Sequence, residues 1–326
     1  MKCLARTVVM AAALSLAPAA HAVELKFSHA YTDGDMRDLW AEHIAKLVAE
    51  KTGDAVTIAV YPNQQLFKAK AQHQALERDR IDLAIYPLPW LSGMAPLTEI
   101  GALPGLVTTP QDGVVWRERA IWPMLEESVA STGVILGGGG WAMATIGNTG
   151  DPILVPADMA GHKMRGLGKA TETMMAENGA TITSLPASEI YQALQTGVLT
   201  GVLTQYASFS GYNLDEVLDH LLVGKGFIGG FHGILVAPGV EEKLGPDGYA
   251  ALMEAIADSE SWFADQAVEE TEAVAAAFAE KGVKVHRLTD EQLAAWQEDA
   301  RNTAWVYFKE TVPNGEAALK AIDQPR

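Results

Sequence analysis

Residues 161–168, GHKMRGLG, concentrate cationic side chains in a chain that is otherwise acidic. If His162–Arg165 is extended, successive side chains alternate, so Lys163 and Arg165 share a face and Met164 takes the other. Gly166 and Gly168 keep the neighbouring backbone bare, and a small anion can approach it. An arginine so placed serves either as an anion anchor or as half of a structural ion pair. The octapeptide leaves both open.

Other residue types that could do chemistry are dispersed. His29, His43, His73, His162, His220, His232 and His286 show no HExxH or paired-ligand spacing, so no metal site is expected. No GxSxG is present. Cys3, the only cysteine, lies in the N-terminal leader, so no catalytic residue and no disulfide is expected in the mature chain. Gly137–Gly140 lacks the Gly-Lys-Ser/Thr of a phosphate loop and the spacing of a dinucleotide fingerprint, and no cofactor is expected. Asp33, Asp35 and Asp38 suit the start of a helix, where carboxylates complement its dipole.

The elements that must position these residues follow from periodicity. Leu25–His29 reads as a strand. The next segment places Met36, Trp40, Ile44, Leu47 and Val48 on one helical face and stops at Gly53. Val56–Tyr61 alternates as a second strand, Gln65–Glu77 is helical, and Ile81–Tyr86 is apolar enough for a strand buried on both faces. Such a series makes a parallel α/β sheet, with ligands at the carboxyl ends of its strands. The loops His29–Tyr31, Asn63–Leu66 and Tyr86–Trp90 lie there. A helix over Trp116–Ser131 and a strand over Gly133–Leu136 follow. A second α/β unit has strands at Lys163–Arg165 and Ala180–Leu185 and helices at Ala170–Glu177 and Ala187–Thr196, with Ile234–Ala237 returning toward the first. Gly248–Lys281 carries Leu252, Ile256, Phe263, Ala267, Val274 and Phe278 in one stripe. At ~1.5 Å per residue that helix is roughly 50 Å long, enough to lie across two lobes.

Composition limits the partners. Lys2 and Arg6, the apolar run Val8–Ala17 and the small-x-small Ala20-His21-Ala22 make residues 1–22 a secretory signal peptide, too short for a permanent anchor. Its loss takes two positive charges, moving the formal charge from −17 to −19. So acidic a surface repels nucleic acid and anionic lipid, neither of which is expected as a partner, and no direct membrane insertion is expected. An anion site must carry its own cation.

Five segments then resemble a known family in order and at matching distances: AEKTGDAVTIAVYPNQQL (49–66), IDLAIYPLPWLSG (81–93), LPGLV (103–107), PADMAGHKMRGLG (156–168) and SLPASEIYQALQTGVLTG (184–201). The chain resembles the solute-binding proteins of tripartite ATP-independent periplasmic (TRAP) transporters, of the dicarboxylate-receptor type. That resemblance implies an α/β, two-lobed periplasmic-binding-protein fold with a hinge and a long cross-lobe helix. It further implies a periplasmic receptor, not an enzyme, that binds an organic acid and delivers it to TRAP membrane permease subunits. A sensor presenting its ligand to a membrane histidine kinase, and a secreted enzyme on the same scaffold, are the alternatives. On this reading lobe I comprises 23–145 and about 230–265, lobe II comprises 146–229 and about 266–326, and the cleft lies between them.

The resemblance places Arg165 where relatives clamp the ligand carboxylate, and a guanidinium fork matches a carboxylate bidentately. Lys163 is a rim or structural charge. The place of a second arginine in many relatives falls near Ala144, an aspartate gives way to Thr200, a tail asparagine to Leu203-Thr204-Gln205, and a bulkier side chain to Ala187. These departures reduce polar grip and add room, which points away from sugar acids and toward an aromatic or hydrophobic monocarboxylate. Tyr86, Trp90, Trp141, Tyr206, Phe209, Phe227, Phe231 and His232 are the candidate walls, with Gln65 and Thr204 as polar candidates.

Overall fold

The computed structural model describes residues 22–224 and 228–326. The expected signal peptide, apart from Ala22, and Phe227 lie outside the described residues. In chain order the elements are β1 (Val23–Ser28), α1 (Met36–Thr52), β2 (Val56–Tyr61), α2 (Gln72–Glu77), β3 (Leu83–Pro87), α3 (Pro110–Val114), α4 (Ile121–Ala130) and β4 (Ile135–Asn148). There follow β5 (Lys163–Arg165), α5 (Lys169–Glu177), β6 (Thr181–Ile182), α6 (Ile190–Gln195), β7 (Gly201–Gln205), α7 (Tyr206–Gly211), β8 (His220–Val223) and β9 (Ile228–Val236). The chain ends with α8 (Val240–Glu280), β10 (Lys284–Arg287), α9 (Asp290–Asn302), α10 (Ala304–Thr311) and α11 (Gly315–Ala321).

The strands form one mixed sheet in the order β2-β1-β3-β9-β4-β7-β5-β6, with β8 beside the end of β4 and β10 beside β8. The parallel βαβαβ start is present, since β1 pairs in parallel with β2 and β3. The sheet is not parallel throughout, because β9 runs antiparallel to both β3 and β4. Ala144 marks a change of partner: up to it β4 pairs with β9, and from it onward with β7. The C-terminal helices touch both halves. Trp296 donates to the Leu154 carbonyl at 2.9 Å and Trp305 to that of Pro104 at 2.7 Å.

The expected strand Gly133–Leu136 is in fact longer and passes through Gly137–Gly140. The reason is close packing of α8. A Cβ on Gly138 would lie 2.4 Å from Ile256, and one on Gly140 would lie 2.4 Å from the Phe263 ring. Gly139 faces the other way, toward Phe231. Phe263 stacks on Trp40 of α1, ring centroids 4.0 Å apart, and Trp40 Nε1 donates to Ser259 Oγ at 2.8 Å. The glycines therefore let one helix lie directly on the sheet. The Gly140→Ala variant is expected to lose about 1–3 kcal/mol by overpacking, read as a lower urea midpoint; an unchanged midpoint would contradict this packing.

Helix α8 is the expected long strut. Gly245, at φ +69°, and Pro246 kink it near its start, after which it packs on α1 and β4 and then on α7, β8 and β10. Two expected helices are shorter. Of Gln65–Glu77, only a 3-10 turn at Ala69–Ala71 and the α-helix from Gln72 are helical, and a left-handed turn with φ of +55° at Asn63 and +59° at Gln64 precedes the segment. Trp116–Ser131 is interrupted at Arg119–Ala120, where Arg119 bridges to Pro325 and the Ala120 N–H donates to the Gln324 carbonyl. Among the described residues no helix is long and apolar enough to cross a membrane.

Candidate functional site

A cavity of about 370 Å³ opens where the ends of β1, β3 and β5 meet the starts of α1 and α7. The three loops expected at strand ends contribute Tyr31, Gln64 and Trp90. Trp90, half-buried, presents part of its ring system there, while Tyr86 lies behind it with its ring edge-on at 5.6 Å.

Arg165 enters from β5. The alternation is as expected, with Met164 fully buried in the core and Arg165, 5 % exposed, lining the cavity. Lys163 is exposed and donates to the Gly197 carbonyl. The Arg165 guanidinium is oriented by two backbone acceptors, Nε to Leu185 O at 3.2 Å and Nη1 to Leu203 O at 3.1 Å. Among the described residues no carboxylate forms an ion pair with it, and Nη2 has no protein acceptor. Glu172 lies near enough to favour its charge but is engaged by Ser184 and Lys169. Burial pulls the Arg165 pKa down to about 10, which still leaves it cationic at neutral pH. A buried, oriented guanidinium with no carboxylate partner among the described residues has the chemistry to pair with an anion.

Across the cavity stands a second arginine that the sequence reading did not select. Arg37, in the first turn of α1, is 1 % exposed. Its Nε and Nη2 grip Asp35 Oδ1 and Oδ2 at 2.8 and 2.5 Å, and its Cζ lies 3.6 Å from the Tyr31 ring centroid. Asp35, one of the aspartates expected at a helix start, is the cap of α1 and accepts from the Arg37 N–H at 2.9 Å. Burial pushes the Asp35 carboxyl up, yet Arg37 outweighs it and holds it below the usual range. Among the described residues the Tyr31 hydroxyl and His232 Nε2 are buried without a hydrogen-bond partner, and both residues line the cavity. His232 Nδ1 faces the Gly230 carbonyl at 3.1 Å, which can only accept, so Nδ1 carries the proton and Nε2 a lone pair. Burial first, then Arg37, lowers the His232 pKa to about 3, so it is neutral at pH 7.

Of the candidates, Arg165, Trp90, His232 and Phe231 line this cavity; Tyr86, Trp141, Thr204, Tyr206, Phe209 and Gln65 do not. Trp141 is core: it meets Trp116 edge-on at 5.0 Å, and Gly113 and Gly229 pack against it. Tyr206 and Phe209 belong to a second apolar core with Phe278. Thr204 is fully buried within β7, and its neighbour Gln205 lines the cavity. Gln65 is exposed because the left-handed turn presents Gln64 instead. Tyr31, Ser208 and Tyr212 were also missed, although Tyr31 lies in a loop that position alone had marked. Among the described residues no group of three or more His, Cys, Asp or Glu is placed to hold a metal ion.

The protein-family model for bacterial extracellular solute-binding proteins, family 7, matches residues 27–310. The chain belongs to this family. Two relatives are each 30 % identical to it. One is a solute-binding protein of Albidiferax ferrireducens, aligned over 86 % of this chain and 85 % of its own. The other is the C4-dicarboxylate-binding periplasmic protein DctP of Rhodobacter capsulatus, over 88 % and 86 %. Among solved structures, a TRAP periplasmic solute-binding protein from Rhodoferax ferrireducens with bound malonate superposes with a TM-score of 0.87 at 28 % identity, covering 91 % of this chain and 96 % of that one. DctP7 of Bordetella pertussis, a receptor binding pyroglutamic acid, gives 0.83 at 21 % identity over 93 % and 100 %. The two-lobed fold and the membership among TRAP solute receptors expected from the five segments both hold.

Proposed function

We propose that this receptor captures an organic acid in the periplasm, seats its carboxylate on Arg165, closes its lobes over it and delivers it to a TRAP permease. The observation that carries the reading is the Arg165 guanidinium itself, buried and held by two carbonyls, with no carboxylate partner among the described residues. The relatives named for dicarboxylate, malonate and pyroglutamate recognition support an acid as the cargo. Trp90, Tyr31, Leu167 and Pro186 offer apolar surface, which favours a single carboxylate attached to an apolar body. The lobe boundary belongs near residue 145, where β4 exchanges β9 for β7. Contacts from both lobes give the ligand its higher affinity for the closed state, and that difference drives closure.

Intrinsic-fluorescence titration with a panel of organic acids tests the proposal, since Trp90 lines the cavity. Saturable quenching is expected, and Trp90→Ala is expected to weaken binding about tenfold through loss of one aromatic face. Absence of saturable binding across mono- and dicarboxylates would refute the proposal.

A further inference from the structure

Among the described residues two buried arginines line the cavity, beside the exposed Lys68 and Lys70, and of the two arginines Arg165 alone is free to meet an anion. Arg165 has carbonyl partners alone, whereas Arg37 is held fork-to-fork by Asp35, whose side chain is itself 3 % exposed. We infer that Asp35 is a specificity-determining residue, which cancels Arg37 and so restricts the receptor to acids with one carboxylate at the site. The inference rests on the proposed anchoring of a carboxylate by Arg165.

Three further observations point the same way. Tyr31 covers one face of the Arg37 guanidinium, and the Ser208 hydroxyl lies 3.5 Å from Nη2, so donors not taken by Asp35 are partly screened. His232 lines the same cavity with an unpartnered Nε2 lone pair, an acceptor that repels a second carboxylate rather than binding it. Glu270, half-buried on α8, acts electrostatically on both Asp35 and Arg37. Burial first, then Asp35, pushes its carboxyl up to about 8, so at pH 7 it is mainly protonated and the cancellation of Arg37 falls to Asp35. An acid whose second carboxylate reached the Arg37 end would therefore lose its hydration there without gaining a counter-ion, a net cost, since the other cations lining the cavity, Lys68 and Lys70, are exposed to solvent.

The experiment uses acids matched in carbon skeleton, butyrate with succinate and hexanoate with adipate, in calorimetric titrations at pH 7. Wild type is expected to bind the monoacid of each pair more tightly. Asp35→Asn keeps the cap and its size but frees Arg37, and is expected to shift the ratio of monoacid to diacid affinity at least tenfold toward the diacid. Adding Arg37→Gln to that variant is expected to return the ratio to the wild-type value. Because Asp35→Asn leaves a buried cation, its thermal midpoint is followed as well, and adipate is expected to raise it more than hexanoate does. Should the variant not fold alone, refolding with adipate and not with hexanoate is the supporting result, and no rescue by adipate overturns the inference. A wild-type preference for diacids, an unchanged ratio in folded Asp35→Asn, or a double variant that keeps the diacid preference would also overturn it. Arg165→Ala, run in parallel, separates the two levels. If it binds every acid as wild type does, the anchoring reading falls; if it loses them while Asp35→Asn leaves the ratio unchanged, only the role of Asp35 falls.

Discussion

Arg165→Ala is expected to lower the affinity for organic acids about 100-fold or more. Truncating one member of a buried, hydrogen-bonded charge pair costs roughly 2–5 kcal/mol, largely because the other charge stays buried and unpaired, and each ~1.4 kcal/mol is a factor of ten. The captured carboxylate is that other charge. Arg165→Lys is expected to recover only part of the loss, because an ammonium is a point charge without a planar fork. The guanidinium also binds the carbonyls of Leu185 and Leu203, so some loss of stability accompanies the truncation, on the order of 1 kcal/mol for each hydrogen bond. Calorimetric titration below the variant's thermal midpoint keeps the two effects apart. Binding at wild-type strength would mean that the cargo's charge is met elsewhere.

The second large effect is on stability, at the contact between α8 and the glycine strand. Glu260, 4 % exposed, accepts from Arg117 Nε at 2.8 Å, Arg117 Nη2 at 2.7 Å and the Gly139 N–H at 2.8 Å. Burial outweighs these bonds and raises the carboxyl above its usual range, so the pair itself is costly to bury. Removing one member is costlier still. Glu260→Ala strips Arg117 of its counter-ion, leaves the Gly139 N–H without an acceptor and opens a cavity beneath β4. We expect a loss of about 3 kcal/mol, in line with broken buried pairs. Arg117→Met combined with Glu260→Leu removes both charges and is expected to recover much of it. Denaturant unfolding at pH 7 measures each change. A Glu260→Ala midpoint equal to that of wild type would show that the network holds nothing together.

Periodicity and turn residues made much of the fold legible. β1, α1, β2 and β3 lie within a few residues of their expected positions, and the stripe Leu252–Phe278 is the cross-lobe strut, because amphipathic spacing reports burial directly. What stayed hidden depends on contacts distant in sequence. The expected strand stops at Leu136 because strand propensity disfavours glycine; the cause of the glycines that continue β4 is Ile256 and Phe263, over a hundred residues away. The same limit applied at the site. Arg165 stood out because alternation fixed its face and glycines surrounded it. Trp141, Tyr206 and Phe209 were chosen for being aromatic near strand ends, but an aromatic side chain there fits a core as well as a cavity wall. Thr204 and Gln65 each missed by one residue, since a strand's period of two and a left-handed turn decide which neighbour faces inward. Arg37 carries no signal of its own in the sequence, since its burial between Tyr31, Asp35 and Ser208 is a tertiary fact.

The central claim is that the Arg165 guanidinium is the counter-ion of the captured acid. A crystal structure of the receptor with a bound acid tests it most directly. Carboxylate oxygens are expected within hydrogen-bonding distance of Arg165 Nη2, with Leu185 and Leu203 still holding Nε and Nη1. An acid seated in the cavity with its carboxylate on other donors, and Arg165 bound to those carbonyls alone, would contradict it.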